Sequence, residues 1–193
     1  MTWTLEESLV AAHEVAAVFD ALGVGYAVGG SVASSLHGVP RATMDVDFVA
    51  AMQLEHVDEF VRHLEPTYYV DAAAIREAIV SRDSFNVIRN ETVLKVDVFV
   101  VADDALSRQE LQRAAEVTTV TGQRFRVVSA EDIVVEKLRW WKLGGGVSDR
   151  QWRDAVGVLK IQGARFDREY ATRRADAMGV VELLEKVLDD AAD

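Results

Sequence analysis

Two short segments that alternate carboxylates with apolar residues constrain the fold of this 193-residue chain more than any other feature. Residues 45–50 and 93–101 have the period-two alternation of β-strands, so Asp45 and Asp47 leave one face while the apolar residues between them point into a core. Asp97 is the matching carboxylate of the second segment. Adjacent carboxylates resist joint ionisation unless a cation neutralises them, and hard oxygen ligands suit Mg²⁺. The pattern therefore predicts a metal site on one face of a sheet.

The segment Gly29-Gly30-Ser31 follows a short apolar strand and opens a predicted short helix. Glycines let phosphate oxygens approach the backbone, and a helix N-terminus supplies oriented N–H groups and a positive dipole. Ser31 adds a hydroxyl donor. We predict that these three residues bind nucleotide phosphates beside the metal site. Three carboxylates on adjacent strands can hold two ions about 3.5–4 Å apart, the arrangement for in-line phosphoryl transfer.

Strand and helix patterns alternate through residue 128, and the remainder of the chain has helical periodicity only. Half of the residues are hydrophobic, which is enough for one domain with a substantial core and a small helical annex. We expect an α+β fold, with a mixed sheet flanked by helices over residues 1–128 and a helical portion over 129–193 that packs on it.

Composition excludes several classes of protein. The chain has no cysteine, so it carries no disulfide, no cysteine nucleophile and no thiolate metal site. No apolar run approaches the length of a membrane span and the N-terminus does not resemble a signal peptide, so we expect a cytoplasmic protein without a membrane partner. The net charge is −11, yet residues 137–174 carry ten Lys and Arg against four Asp and Glu. This basic stretch is either a solvated helical face or a patch that receives phosphates.

The ordered set of Gly30-Ser31, then Asp45-Val46-Asp47-Phe48, then a strand bearing Asp97 resembles the nucleotidyltransferase superfamily that includes DNA polymerase β. The resemblance covers about residues 25–101. It implies the nucleotidyltransferase fold and a metal-dependent enzyme that moves a nucleotide from an NTP, such as ATP, to an acceptor hydroxyl. It also implies two Mg²⁺ or Mn²⁺ ions held by the three aspartates, which would be catalytic, with Asp97 helping to accept the hydroxyl proton.

More narrowly, the chain resembles the AbiEii-type nucleotidyltransferase toxins of bacterial toxin–antitoxin systems. The counterparts of the family's later motifs are Ser129, Lys137 and residues 148–154. This resemblance implies transfer to the 3′ end of tRNA, or of another RNA, and a cognate antitoxin as a protein partner. The chain is shorter than many of these toxins, so we expect part of their acceptor-binding region to have no counterpart here.

Four further residues are candidates with two interpretations each. Lys137 would bind and neutralise the triphosphate as a catalytic residue, or be an exposed lysine whose stem covers apolar neighbours. Asp154 matches an aspartate on a helix of the resembled family, or pairs with Arg150 on its own helix. Arg41 and Thr43 precede the carboxylate strand and either contact phosphate or base, or are solvated loop residues.

Two other functions remain open at this point. The acceptor could be a small molecule such as an aminoglycoside or lincosamide antibiotic, or a protein side chain, because an acidic cleft suits a cationic drug. The chain could also be a non-catalytic interaction module that uses the fold without chemistry. The three intact aspartates favour an enzyme.

Overall fold

The computed structural model describes residues 4–102 and 104–192 as two compact units. The first unit comprises residues up to 32 and residues 42–128, and the second comprises residues 33–41 together with the residues from 129 onward.

Within the described residues, the first unit contains a mixed seven-stranded sheet in the order β3-β4-β5-β2-β1-β7-β6. The strands are β1 (Tyr26–Val28), β2 (Asp45–Ala50), β3 (Tyr68–Tyr69), β4 (Ser84–Arg89), β5 (Lys95–Val100), β6 (Ala115–Thr118) and β7 (Arg124–Val127). Strands β2 and β5 are parallel neighbours, as are β1 and β7, and the other pairs are antiparallel. The pairs β4–β5 and β6–β7 form antiparallel hairpins.

Among the described residues, four α-helices belong wholly to the first unit: α1 (Leu5–Leu22), α3 (Val57–Leu64), α4 (Ala72–Ser81) and α5 (Ala105–Arg113). Their apolar faces cover the sheet, and the aromatic rings of Phe19, Phe48 and Phe60 meet in the core. The Phe19 ring lies 5.5 Å from that of Phe48 and 5.2 Å from that of Phe60. This buried cluster fixes one face of β2 against α1, so the other face of the strand is left for polar side chains.

The helix α2 (Gly30–His37) begins in the first unit and its later residues belong to the second. The second unit also contains α6 (Ala130–Leu143), α7 (Asp149–Gln162), α8 (Arg168–Ala177) and α9 (Val181–Ala192). Gly38 lies so close to α7 that an added Cβ would be 2.7 Å from the backbone nitrogen of Val158. The segment 33–41 is thereby packed against α7, although it is far from it in sequence.

The α+β fold class with a C-terminal helical part is confirmed. Among the described residues, no helix combines the length and the apolar character that a membrane crossing requires.

Candidate active site

The predicted carboxylates lie on adjacent parallel strands. In the register of β2 and β5, Asp47 is the Cα partner of Asp97, and Asp45 is the partner of Lys95. In both strands the charged residues alternate with buried apolar ones, so these side chains share the face of the sheet that the core does not use. The strand pairing therefore brings Asp47 beside Asp97, two residues that are fifty positions apart in sequence.

Asp47 also lies against the glycine turn that opens α2. The backbone N–H of Gly29 donates a 2.8 Å hydrogen bond to the carbonyl oxygen of Asp47. Gly30 has φ +55°, and an added Cβ at this position would lie 1.7 Å from Oδ2 of Asp47. Only glycine fits there, because any side chain would both strain the backbone and displace the carboxylate. The phosphate-binding turn predicted from sequence is thus in direct contact with a predicted metal ligand.

A lysine that the sequence prediction did not include lies among the carboxylates. The Nζ atom of Lys95 is 2.6 Å from Oδ2 of Asp97. The hydrogen bond to Asp97 raises the pKa of the Lys95 ammonium above its ordinary value, and the negative charges of Asp97, Asp45 and Asp47 add to this effect against the opposing effect of burial. The alternation Lys95-x-Asp97 on one strand face is the sequence signal by which this partner could have been found.

The residues of this face fit a hard divalent cation in donor chemistry, since three carboxylates with oxygen donors are what Mg²⁺ or Mn²⁺ prefers. Within residues 4–102 and 104–192, however, no group of three or more histidine and carboxylate side chains is gathered closely enough to hold a metal ion. Positive charge at the face comes instead from the Lys95 ammonium, which holds the Asp97 carboxylate.

Thr43 supports the start of β2. It is buried, and its hydroxyl donates a 3.2 Å hydrogen bond to the carbonyl oxygen of Asp45. Its own carbonyl oxygen accepts a 3.1 Å hydrogen bond from the hydroxyl of Ser8. The interpretation of Thr43 as a solvated loop residue is therefore wrong, and its contacts position the strand that carries Asp45 and Asp47.

In the second unit, three of the predicted residues form one ionic cluster. Asp154 accepts two hydrogen bonds from the Arg41 guanidinium, from Nε at 2.9 Å and from Nη2 at 2.8 Å. The Nζ atom of Lys137 lies 3.0 Å from Oδ2 of the same carboxylate. The Ser34 hydroxyl donates to that oxygen at 3.4 Å. The cluster holds two cations and one carboxylate, and it joins α2, the loop after it, α6 and α7.

Burial of this cluster decides two of the alternatives left by the sequence. The Lys137 side chain is 5% exposed, so the interpretation as an exposed surface lysine is wrong. Asp154 pairs with Arg41 and Lys137 rather than with Arg150 on its own helix. Burial alone would raise the pKa of the Asp154 carboxyl, but the Arg41 hydrogen bonds and the Lys137 charge hold it below its ordinary value. No local pattern links positions 41, 137 and 154, so sequence reasoning had no signal for this contact.

Comparison with solved structures identifies the architecture. A crystal structure of an antigenic nucleotidyltransferase-like protein from Paracoccidioides brasiliensis is similar over 97% of this chain and 94% of that protein, with TM-score 0.58 and 18% identity. The antibiotic-resistance factor ANT(2'')-Ia is similar over 94% of this chain and 96% of that protein, with TM-score 0.60 and 16% identity. The chain has the nucleotidyltransferase fold.

A third similar structure is the lincosamide antibiotic adenylyltransferase LnuA with lincomycin bound, with TM-score 0.53 and 13% identity over 83% of this chain and 99% of that protein. No protein-family model matches the sequence, and no curated protein is significantly similar to it. The nucleotidyltransferase fold predicted from the glycine turn and the aspartates is thus confirmed by structural similarity rather than by sequence similarity.

Proposed function

We propose that this protein is a metal-dependent nucleotidyltransferase that moves a nucleoside monophosphate from an NTP to an acceptor hydroxyl. The observation that carries the proposal is the pairing of Asp47 with Asp97 on adjacent strands, with Asp47 packed on Gly30 at the opening of α2. Transfer from a triphosphate needs groups that bind phosphates and carboxylates that hold metal ions. A glycine turn at a helix N-terminus suits the first need, and the paired aspartates suit the second.

The residues of the first unit have separate roles in this proposal. Asp45, Asp47 and Asp97 would hold the divalent ions, which would neutralise charge at the triphosphate and lower the pKa of the attacking hydroxyl. Gly30 and Ser31 bind the phosphates through backbone N–H groups and a hydroxyl. Asp97 assists in accepting the proton of the acceptor hydroxyl. Thr43 keeps the strand bearing the first two carboxylates in place.

In the second unit, Lys137 is proposed to neutralise the triphosphate and the departing pyrophosphate. Its support is its place in the cluster: Lys137 and Ser34 both contact Asp154, and Ser34 lies on α2, the helix that the predicted phosphate-binding turn opens. Asp154 is then a positioning residue that holds Lys137 and Arg41 in place.

For the acceptor we propose the 3′ hydroxyl of an RNA, such as tRNA. The support is the basic stretch: eight of its ten Lys and Arg side chains are exposed in the second unit, as a surface for phosphates requires. The exposed residues are Arg139, Lys142, Arg150, Arg153, Lys160, Arg165, Arg168 and Arg173. On the resemblance to AbiEii-type toxins, the modification would block translation, and a cognate antitoxin would restrain the enzyme.

A second candidate acceptor is a hydroxyl of a small molecule. ANT(2'')-Ia, whose fold this chain shares, has been observed with adenylyl-2''-tobramycin, and LnuA with lincomycin. The acidic composition of residues 1–136, with 22 Asp and Glu against 10 Lys and Arg, suits a cationic antibiotic.

The test incubates the purified protein with each α-labelled NTP, Mg²⁺ and, in separate reactions, total RNA or a set of aminoglycosides and lincosamides. The proposal expects label to pass to one acceptor class, with release of pyrophosphate. Label on RNA supports the first candidate, and label on a drug supports the second. Absence of pyrophosphate release with every NTP and acceptor would contradict the transferase itself.

The toxin role has its own test. Expression of the protein should arrest growth, and expression of the Asp45→Ala variant at the same level should not. Arrest by both proteins would indicate an interaction module rather than an enzyme, and arrest by neither would contradict the toxin role while leaving the transferase reaction intact.

A further inference from the structure

We call the sheet face that bears Asp45, Asp47 and Asp97 the carboxylate face. The Lys95 side chain lies on this face among the three aspartates. On the adjacent parallel strand its Cα partner is Asp45, while its ammonium is bonded to Asp97 two residues along its own strand. The charges of Asp45, Asp47 and Asp97 all act on this one ammonium. A monovalent cation tethered to β5 therefore stands in the electric field where a divalent cation would bind.

The Lys95–Asp97 ion pair is partly exposed to solvent, so a metal ion could replace the lysine at the Asp97 carboxylate. The Lys95 side chain is 47% exposed and the Asp97 side chain 18%, so the ammonium has water on one side. Partly exposed ion pairs of this kind are weak, about 1 kcal/mol or less, because solvent screens them and the lysine stem is flexible. A buried pair would be difficult to open, whereas this one can release Asp97 at small cost.

We propose that Lys95 is an internal counter-ion that competes with a divalent metal ion for the Asp97 carboxylate and is displaced when the metal binds. This inference rests on the proposed metal-dependent transferase. It makes Lys95 a positioning residue: without metal its charge prevents Asp97 and Asp47 from repelling each other apart, and with metal it leaves.

Direct measurement of Mn²⁺ affinity tests the proposal without nucleotide or acceptor. Isothermal titration calorimetry compares the unmodified protein with Lys95→Met, which keeps the length of the stem and removes the charge. Loss of a competing cation should tighten Mn²⁺ binding by about threefold to fivefold, as expected for removal of a partly screened charge pair. Lys186→Met is the matched control, because Lys186 is an exposed lysine on α9 and its substitution changes the net charge equally.

A second variant at position 95 distinguishes the effect of the positive charge on Mn²⁺ affinity from the effect of the side-chain shape. Lys95→Arg retains a competing cation and should keep the Mn²⁺ affinity within about twofold of the unmodified protein. In thermal unfolding without Mn²⁺, Lys95→Met should have a lower Tm than the unmodified protein. Saturating Mn²⁺ should raise the Tm of Lys95→Met by more than it raises that of the unmodified protein. If Lys95→Met does not fold by circular dichroism, Lys95→Gln replaces it in both measurements.

The outcomes are distinguishable. Unchanged or weaker Mn²⁺ binding by Lys95→Met, when the unmodified protein does bind Mn²⁺, overturns the role of Lys95 and leaves the transferase proposal standing. Absence of Mn²⁺ binding by both proteins, with no difference from Asp47→Asn, overturns the metal site itself and with it both proposals. Tighter binding by Lys95→Met alone, lost again in the double variant with Asp47→Asn, supports the displacement of Lys95.

Discussion

The carboxylate of Asp47 lies directly over the backbone of Gly30, with no room between them for a single methyl group. The contact couples the predicted phosphate-binding turn to the carboxylate face, because a side chain at position 30 would displace the Asp47 carboxylate. Gly29, the preceding residue, has no such restriction: a Cβ added there would be 4.0 Å from the nearest atom, the carbonyl oxygen of Asp47.

Gly30→Ala should therefore disturb the site strongly, and Gly29→Ala should disturb it little. The first substitution places a side chain on a backbone with φ +55° and forces the Asp47 carboxylate aside, at a cost of about 2 kcal/mol or more in the free energy of unfolding. Urea unfolding and Mn²⁺ titration of both variants measure the effect. Equal stability and equal Mn²⁺ affinity in the two variants would contradict the coupling.

Asp47→Asn should abolish transfer without unfolding the protein. The amide keeps the shape of the side chain but removes the charge that a metal ion requires, so nucleotide transfer should fall by about 100-fold or more. Because the substitution also relieves repulsion between Asp47 and Asp97, the Tm without metal should stay the same or rise. Asp189→Asn, at an exposed position on α9, is the control for the charge change and should remain fully active.

Asp154→Ala should destabilise the protein more than Lys137→Met. The alanine removes the carboxylate shared by Lys137 and Arg41 and leaves two cations close together, which should cost about 3 kcal/mol in the free energy of unfolding. After Lys137→Met, Asp154 keeps its two hydrogen bonds from Arg41, so the loss should be about 1 kcal/mol. Urea unfolding measures the free energy of unfolding of both variants. A larger loss for Lys137→Met than for Asp154→Ala would contradict the central role of Asp154 in the stability of the cluster.

Asp154 should also make stability depend on pH in the acid range. Its folded-state pKa is depressed, so the unfolded chain binds the proton more readily and the stabilisation is present above the unfolded pKa of about 4. It should be lost as the pH falls through the folded pKa. The difference in unfolding free energy between the unmodified protein and Asp154→Asn should accordingly shrink below about pH 4. A difference that stays constant with pH would contradict this assignment.

Lys137→Met should transfer nucleotide poorly while remaining folded. A charge that stabilises the departing pyrophosphate acts mainly in the transition state, so kcat should fall by about 100-fold or more, and NTP affinity should fall less. Single-turnover kinetics together with NTP titration separate the two quantities. Lys186→Met, at an exposed lysine on α9 outside the basic stretch, is the matched control for NTP turnover. Full activity of Lys137→Met would assign Lys137 to the stability of the second unit alone.

Much of the candidate site could be predicted because its parts are local patterns. The period of two in β2 places Asp45 and Asp47 on one face whatever the rest of the chain does. A strand followed by Gly29-Gly30-Ser31 favours a turn into a helix, and α2 does begin at Gly30. The roles of these residues in metal and phosphate binding remain predictions.

The sequence by itself determined the strands, the helices and the shared face of the aspartates, because each depends on neighbours within a few residues. Only the tertiary structure decided that Asp47 pairs with Asp97 and that Arg41 and Lys137 meet at Asp154. Those pairs depend on strand order and on the packing of α2, α6 and α7. The choice among distant partners is made by burial of the whole core and by the pairing of buried charges, which no local pattern encodes.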